Sequence, residues 1–548
     1  MTHRQIMFVL AGLMSGMFLS ALDQSVVGSA MRTIADDLKG LELQAWVTTA
    51  YLITSTIATP IYGKLGDIFG RRKLFITAVS IFIAGSLLCG TASSMYELAG
   101  WRAVQGIGAG GLFSLALTIL ADVVPPRERA KYQGMFLAVF GTSSVLGPII
   151  GGLFAGTPEI LFTDGWRWVF LMNLPIGAGA LYMVVHFLHV PHTPRKSRID
   201  WWGAVTIIIA VVPLLIVAEQ GREWGWDSQL AITFYVIGAV GIVAFIMAER
   251  AMGSEALLPL KLFKSSAFSM STLLGVIVGV GMFGGMMTLP LMLQIVGGAT
   301  PTESGFMMMP MVFGMMTASI LSGRITSKTG KYRVFMNTGT GMLLLGYLYL
   351  LSYSADMPYW QVAIGMVIIG LGLGQLMQTL TLASQNAVEP QDMGVATSSA
   401  TFFRQMGGTL GVAIFLSILF NNLSSTIANA FKNKDIQAGL MEAVQDKAVL
   451  ANPDNAIVLD AMKPGADPSV IGDALNTDSS FLTHLDERLA RPFLVGFADA
   501  SIYVFATAAV VMAVAFILSF FVKAAPMRMV SGVQAAAEAA EAKLASSH

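Results

Sequence analysis

Apolar residues run along this chain in blocks of about twenty, each followed by a short polar connection. A helix rises about 1.5 Å per residue, so about twenty residues cross a hydrocarbon core of roughly 30 Å. Fourteen such blocks can be drawn: 6–28, 44–64, 74–94, 97–121, 133–155, 167–190, 202–220, 230–249, 268–296, 303–323, 334–353, 359–383, 394–420 and 495–522. The first follows His3 and Arg4, lacks a small-residue cleavage site and is succeeded by thirteen more. It reads as the first membrane helix rather than a signal peptide. The pattern predicts an all-α membrane protein.

The polar connections repeat. GKLGDIFGRRK at 63–73 aligns with GRITSKTGKYR at 323–333, setting Gly63 against Gly323, Gly70 against Gly330, Arg71 against Lys331 and Lys73 against Arg333. Each follows an even-numbered block and lies on the same side of the membrane. Repeated halves of matching membrane sense point to a transporter. The division is a six-helix bundle over 1–190, a linker with two inserted spans over 191–265, a second six-helix bundle over 266–525 and a tail over 526–548. The copies differ in one place, where Asp67 is replaced by Ser327. Inside the second bundle, 421–494 is polar, slightly acidic and longer than ordinary connections. It reads as an extracellular cap or tether, with 436–449 able to form helix.

Composition narrows the function. The chain is 55% hydrophobic and 12% charged over 548 residues, against about 25% charged in soluble domains. Its formal net charge is zero, which leaves no electrostatic footprint for nucleic acid. A single cysteine, Cys89, excludes an internal disulfide and a thiolate zinc site. The six histidines form no metal cluster, and no nucleophile–base arrangement is visible, so an enzyme is not expected. Gly106-x-Gly108-x-x-Gly111 matches a dinucleotide fingerprint only formally, because no strand precedes it. No phosphate loop is found, so transport would draw on an ion gradient, without a cofactor. With the N-terminus inside, the short outer loops hold only Arg32, Lys39 and Arg222 among the basic residues. That asymmetry puts both termini in the cytoplasm of a multi-pass cell (inner) membrane protein.

Charged and polar residues within the blocks are the candidates for chemistry. Asp23 lies in the first block, where a carboxylate costs ~2.5–3.5 kcal/mol on insertion scales and commonly marks an ion path. Arg102 lies at similar depth in the fourth block, able to pair with Asp23 or to tune it. In the 63–73 connection, Gly63 and Gly70 allow a tight turn, while Arg71, Arg72 and Lys73 anchor it in the cytoplasm. Asp67 suits the N-terminus of another helix, and Asp122, at the inner end of the fourth block, is placed to join Arg71. Gly147, Pro148, Gly151 and Gly152 permit a kink and close helix approach. Gln294, Gln375, Gln378 and Arg404, with Asp23, are candidates for lining a substrate cavity. Interhelical glue is the competing reading. Methionines gather at 286–292 and 307–316, either as an adaptable apolar surface or as lipid-facing filler.

Several stretches together resemble the fourteen-helix drug:proton antiporter branch of the major facilitator superfamily. They are LDQSVVGSAM (22–31), GKLGDIFGRRK (63–73), WRAVQGIGAG (101–110), GTSSVLGPIIGG (141–152), WRWVFLMNLPIG (166–177), LPLMLQIVGGATPTESGFMMMP (289–310) and FFRQMGGTLGVAI (402–414). The resemblance implies the major facilitator fold, two six-helix bundles plus two inserted helices, and multidrug efflux by alternating access. It implies proton transfer at Asp23 with Arg102. It implies a cytoplasmic gate in which Asp67 docks near Gly394, and an antiporter signature at Gly147, Pro148, Gly151 and Gly152. The partners it implies are a small amphipathic substrate, protons and the lipid bilayer, with no nucleic acid and no obligate protein partner. An exporter of a lipid, siderophore or other metabolite, and a non-transporting membrane sensor, are the alternatives.

Overall fold

The computed structural model describes residues 3–40, 43–188, 198–389, 392–461, 482 and 485–523. The tail over 526–548 and part of the 421–494 segment lie outside the described residues. Each apolar block contains one long helix of the following order, with the blocks 167–190 and 303–323 each opening on a separate short helix: α1 (His3–Asp37), α2 (Gln44–Phe69), α3 (Arg71–Gly90), α4 (Met95–Val123), α5 (Pro126–Ala155), α6 (Asn173–Phe187), α7 (Trp201–Trp224), α8 (Gln229–Met252), α9 (Ser266–Ile295), α10 (Met309–Thr329), α11 (Arg333–Leu350), α12 (Tyr359–Asn386), α13 (Met393–Ala430) and α14 (Glu487–Ser519). Among the described residues, twelve helices are long and apolar enough to cross a membrane by length and composition. The other two, α2 and α11, are more polar. Thr49, Ser55, Thr56 and Thr59 of α2 and Thr340 of α11 are buried among neighbouring helices rather than turned to lipid.

Several helices outrun their apolar blocks, and the extensions of α1, α13 and α14 each have a partner. The end of α1 is held where Trp166 Nε1 donates to Asp37 Oδ2 at 2.8 Å. The extensions of α13 and α14 pack on each other, with Gly496 leaving room for Ile427. The block at 167–190 is two helices rather than one, since a short helix Trp168–Leu171 precedes α6.

Helices α1–α6 and α9–α14 form two halves with separate cores. One is built on Leu13, Phe75, Phe82, Leu112 and Leu115. The other is built on Val278, Met336, Leu343, Leu373, Phe415 and Phe505. In lipid, close packing rather than water exclusion holds helices together, and glycines make it possible at the tightest crossings. Gly106 and Gly110 of α4 lie on the α2 backbone at Tyr51 and Ser55. The halves meet where α2 and α4 touch α13 and where α5 touches α10 and α12. Helix α7 lies across the α2–α13 seam, and α8 packs on α7 through Gly238 and Gly241 while exposing Val236, Val240, Val243 and Met247.

Both repeated connections end their helix on a glycine of positive φ. Gly70 follows α2 with φ 95° and Gly330 follows α10 with φ 72°, values that favour glycine. These residues mark one face of the molecule, called the Gly70 face below. On the opposite face, helices Lys434–Gln445, Lys447–Ala451 and Ala456–Ala461 fold over the start of α14. Ile436, Leu440, Ala443, Val449 and Val458 bury themselves there against Leu485, Leu489 and Phe493. This part of 421–494 is a folded cap with its own core.

Candidate functional site

Asp23 of α1 and Arg102 of α4 are each 1% exposed. A buried carboxylate survives only if paired and hydrogen-bonded, and here both requirements are met. Arg102 Nη1 donates to Asp23 Oδ2 at 2.5 Å. Gln105 Nε2 and Asn173 Nδ2 donate to Asp23 Oδ1 at 2.9 and 2.8 Å. Arg102 Nη1 also donates to Gln105 Oε1 at 2.7 Å, which orients that amide with its NH2 toward Asp23. Gln105 and Asn173 further reach Ser86 Oγ at 2.6 and 3.2 Å. The guanidinium lies 4.1 Å from the centre of the Tyr51 ring, a cation–π contact, and Tyr51 OH meets Ser20 Oγ at 2.9 Å. The three-residue spacing of Arg102 and Gln105 puts them on one face of α4. Every group touching Asp23 is a donor, so the arrangement fits the ionised carboxylate.

Asp23 and Arg102 stood out in the sequence as charges within apolar blocks. Tyr51, Ser86, Gln105 and Asn173 did not, although Gln105 and Asn173 fall inside the stretches WRAVQGIGAG and WRWVFLMNLPIG. The usable signal was a neutral amide at membrane depth, which is weaker than a charge because a neutral polar group costs less to bury.

A second cluster lies on the Gly70 face. Arg71 Nη2 donates to Asp67 Oδ1 at 2.8 Å, and Arg71 is also ion-paired with Asp122. Its Nη1 reaches Thr118 O at 3.2 Å. Asp67 Oδ2 accepts from Val395 N at 3.2 Å, in the first turn of α13, where the positive end of the helix dipole favours a carboxylate. Gly394 and Gly63 make this approach possible, since a Cβ on Gly394 would run into the Asp67 carboxylate and one on Gly63 into Ser398. Arg72 turns away from the cluster and donates to Val185 O of α6 at 2.6 Å. A further bond across the halves had no signal in the sequence reading: Arg129 Nη1 of α5 donates to Gln385 Oε1 of α12 at 2.6 Å. The second copy of the connection works differently, with Ser327 in place of Asp67 and Arg333 donating to Phe520 O of α14.

Helix α5 divides its small residues between two neighbours. A Cβ at Gly147 would strike Ser25, and one at Gly151 would strike Ser29, both on α1. Pro148 and Gly152 point the other way, toward Gly305 and Thr302 of the short helix Pro301–Met307. The stretch GTSSVLGPIIGG therefore sits where the first half meets the second.

Residues 13–412 match the Major Facilitator Superfamily. The chain belongs to this superfamily. It is 39% identical over 415 residues to multidrug transporter protein MdtP of Bacillus subtilis, covering 75% of each chain. It is 35% identical over 433 residues to multidrug resistance protein 3 of the same organism, covering 79% of this chain and 83% of that one. The fold is shared with the human organic anion transporter MFSD10, at TM-score 0.56, 14% identity and coverage of 74% and 92%. It is also shared with the proton:xylose symporter XylE of E. coli, at TM-score 0.54, 16% identity and coverage of 78% and 91%. The molecule is thus a multi-pass membrane transporter of the major facilitator fold.

In this facilitator the polar residues of the second half are distributed rather than gathered. Gln294 Nε2 donates to Ser304 Oγ at 2.9 Å. Gln375 Oε1 accepts from Thr338 Oγ1 at 2.5 Å, joining α12 to α11. Gln378 Nε2 donates to Ser322 Oγ at 2.5 Å and to Ser319 O at 3.1 Å, joining α12 to α10. Arg404 Nη1 makes one long bond to Thr381 Oγ1 at 3.5 Å, joining α13 to α12. None of these bonds reaches Asp23, and each joins two neighbouring helices.

Proposed function

We propose that the chain is a proton-coupled exporter of amphipathic or cationic compounds that works by alternating access. The observation that carries this reading is the Asp23 network, where a buried carboxylate is held entirely by donors. Taking up a proton removes a negative charge from a buried site and frees Arg102, so the energy of a proton gradient reaches helix packing directly. Export of drug-like compounds is supported by the names of the two Bacillus subtilis relatives. In this reading the Gly70 face is cytoplasmic, both termini lie in the cytoplasm and the protein resides in the inner membrane. The Asp67 cluster holds the cytoplasmic side shut while substrate leaves and a proton enters from outside. No cofactor is required beyond the gradient.

The test is transport in proteoliposomes under an imposed pH gradient, following the cationic dye ethidium. Asp23→Asn keeps the shape of the side chain and removes the titrating carboxylate. Gradient-driven movement by the parent protein that is lost in Asp23→Asn is the expected result. Undiminished dye movement in Asp23→Asn would remove this residue from the coupling mechanism.

A further inference from the structure

Arg404 of α13 differs from the other two buried arginines. Arg102 and Arg129 are each 1% exposed and donate to side chains on neighbouring helices, Asp23 and Gln385. Arg404 keeps 9% of its surface open, and its one hydrogen bond is the long contact with Thr381 of α12. No carboxylate pairs with it among the described residues. Counted at about 1.5 Å per residue from Met393 at the start of α13, it lies near the middle of a hydrocarbon core of roughly 30 Å. A charge at that depth without a partner is costly and commonly marks a functional path. Its place in the packing fits one. The Arg404 carbonyl abuts Gly279 of α9, where a Cβ would have no room, while the side chain leans on α12. The next residue, Gln405, accepts from Thr59 Oγ1 of α2 at 3.3 Å. The guanidinium therefore sits at the junction of α9, α12 and α13, at the level where this half touches α2. The first half does not answer its charge. Asp23 is already held by Arg102, Gln105 and Asn173 and makes no contact with Arg404.

We infer that Arg404 binds an anionic group, a carboxylate or a phosphate, on an otherwise apolar cargo. The inference rests on the export reading above and narrows its cargo to amphipathic compounds that carry an anionic group, alone or beside a cationic one. A guanidinium offers a carboxylate or phosphate two parallel N–H donors. Nε and Nη2 of Arg404 make no hydrogen bond among the described residues, so that edge of the fork is free for such a pair. A cationic group on the cargo has no equivalent at Asp23, whose two oxygens already accept from three side chains. Binding an anion gives the buried guanidinium the counter-charge that the protein leaves out.

The experiment compares rhodamine B with its ethyl ester, the same cationic ring system with the carboxylate masked. Fluorescence anisotropy reads the binding of each dye to the full chain in phosphatidylcholine nanodiscs, with empty nanodiscs subtracted. Rhodamine B is expected to bind at least about tenfold tighter than the ester, the size of one charge-assisted pair. Arg404→Gln should erase the preference, and Arg404→Lys, which keeps the charge without the fork, should retain part of it. Thr381→Val removes the one bond that Arg404 makes to the protein and should leave the preference intact. Equal affinity for the two dyes in the parent, or a preference that survives Arg404→Gln, would overturn the inference. So would a preference lost equally in Thr381→Val, because Arg404 would then act only as a tie between α12 and α13. Competition by lysophosphatidic acid and by 1-naphthoate separates a lipid phosphate from a soluble carboxylate as the source of the anion, the stronger displacer of rhodamine B naming it. Transport under a pH gradient is read apart from binding. Selective binding of rhodamine B with no gradient-driven movement of either dye would bring down the proton-coupled reading and leave the anion site standing. Gradient-driven movement of the ester as fast as that of rhodamine B, unchanged in Arg404→Gln, would overturn the anion site and leave the export reading standing.

Discussion

At the scale of single residues, the Asp23 network separates groups that handle charge from groups that fill space. Gln105 gives one donor to the carboxylate and takes one from the guanidinium, and Asn173 gives the remaining donor to Oδ1. A hydrogen bond to a charged group is worth about 1.5–3 kcal/mol, enough to change the balance between two conformations tenfold or more. Gln105→Leu and Asn173→Leu are accordingly expected to lower gradient-driven ethidium transport at least about tenfold, with protein yield maintained. Ser20→Ala removes only the partner of the Tyr51 hydroxyl, and transport should stay within about twofold of the parent. Equal losses in all three variants would mean that the network acts as a packing unit rather than as a charge relay. Asp23 and Arg102 were legible in the sequence because an ionised group in an apolar block demands a reason. Their neutral supports were not, since an amide in a helix can satisfy itself in many local ways.

Among elements, α5 shows how one helix serves two interfaces through the direction of its small residues. Gly147 and Gly151 face α1 with no room for a side chain, while Gly152 meets only Thr302 Oγ1 at 3.5 Å, an ordinary contact for a Cβ. Gly147→Val should push α5 off α1 and cost about 1–3 kcal/mol in overpacking, seen as a lower melting temperature in detergent. Gly152→Ala should leave the melting temperature unchanged. A Gly152→Ala protein as unstable as Gly147→Val would show that the two faces of α5 are equally tight. The helices themselves were legible from the apolar blocks, because lipid imposes length directly. Their ends were not: α1, α13 and α14 continue past the apolar residues on contacts such as Trp166 with Asp37, which join positions distant in sequence. The break before α6 at Met172 was missed as well, although Asn173 and Pro175 beside it are helix-start residues.

In the whole molecule, two similar halves are made unequal by what is added to them. The repeat at 63–73 and 323–333 was legible because a helix-ending glycine is needed twice. The position of α7 across the α2–α13 seam was not, since a side chain buried against a helix and one facing lipid are both apolar. The cap over the start of α14 is the second addition, and charge as well as apolar burial fastens it. Arg488 of α14 pairs with Asp446 at 2.9 Å and with Asp486 at 2.9 Å, while Arg491 pairs with Asp356 of the α11–α12 connection at 2.5 Å. Hydrogen bonds from Arg488 hold the carboxyls of Asp446 and Asp486 below the usual range. For a depressed carboxyl, the contribution to stability is present above the unfolded value, near 3.9 for aspartate. It is lost as pH falls through the lower folded value. The cap should therefore stay docked at neutral pH and loosen only below about pH 4, read as faster amide exchange over 434–445 while exchange in α12 is unaffected. Arg488→Ala removes both pairs, so its cap should exchange faster at pH 7 and lose most of the acid dependence. Retention of that acid dependence in Arg488→Ala would place the titrating groups elsewhere and leave the apolar contacts of Leu440, Leu489 and Phe493 as what holds the cap.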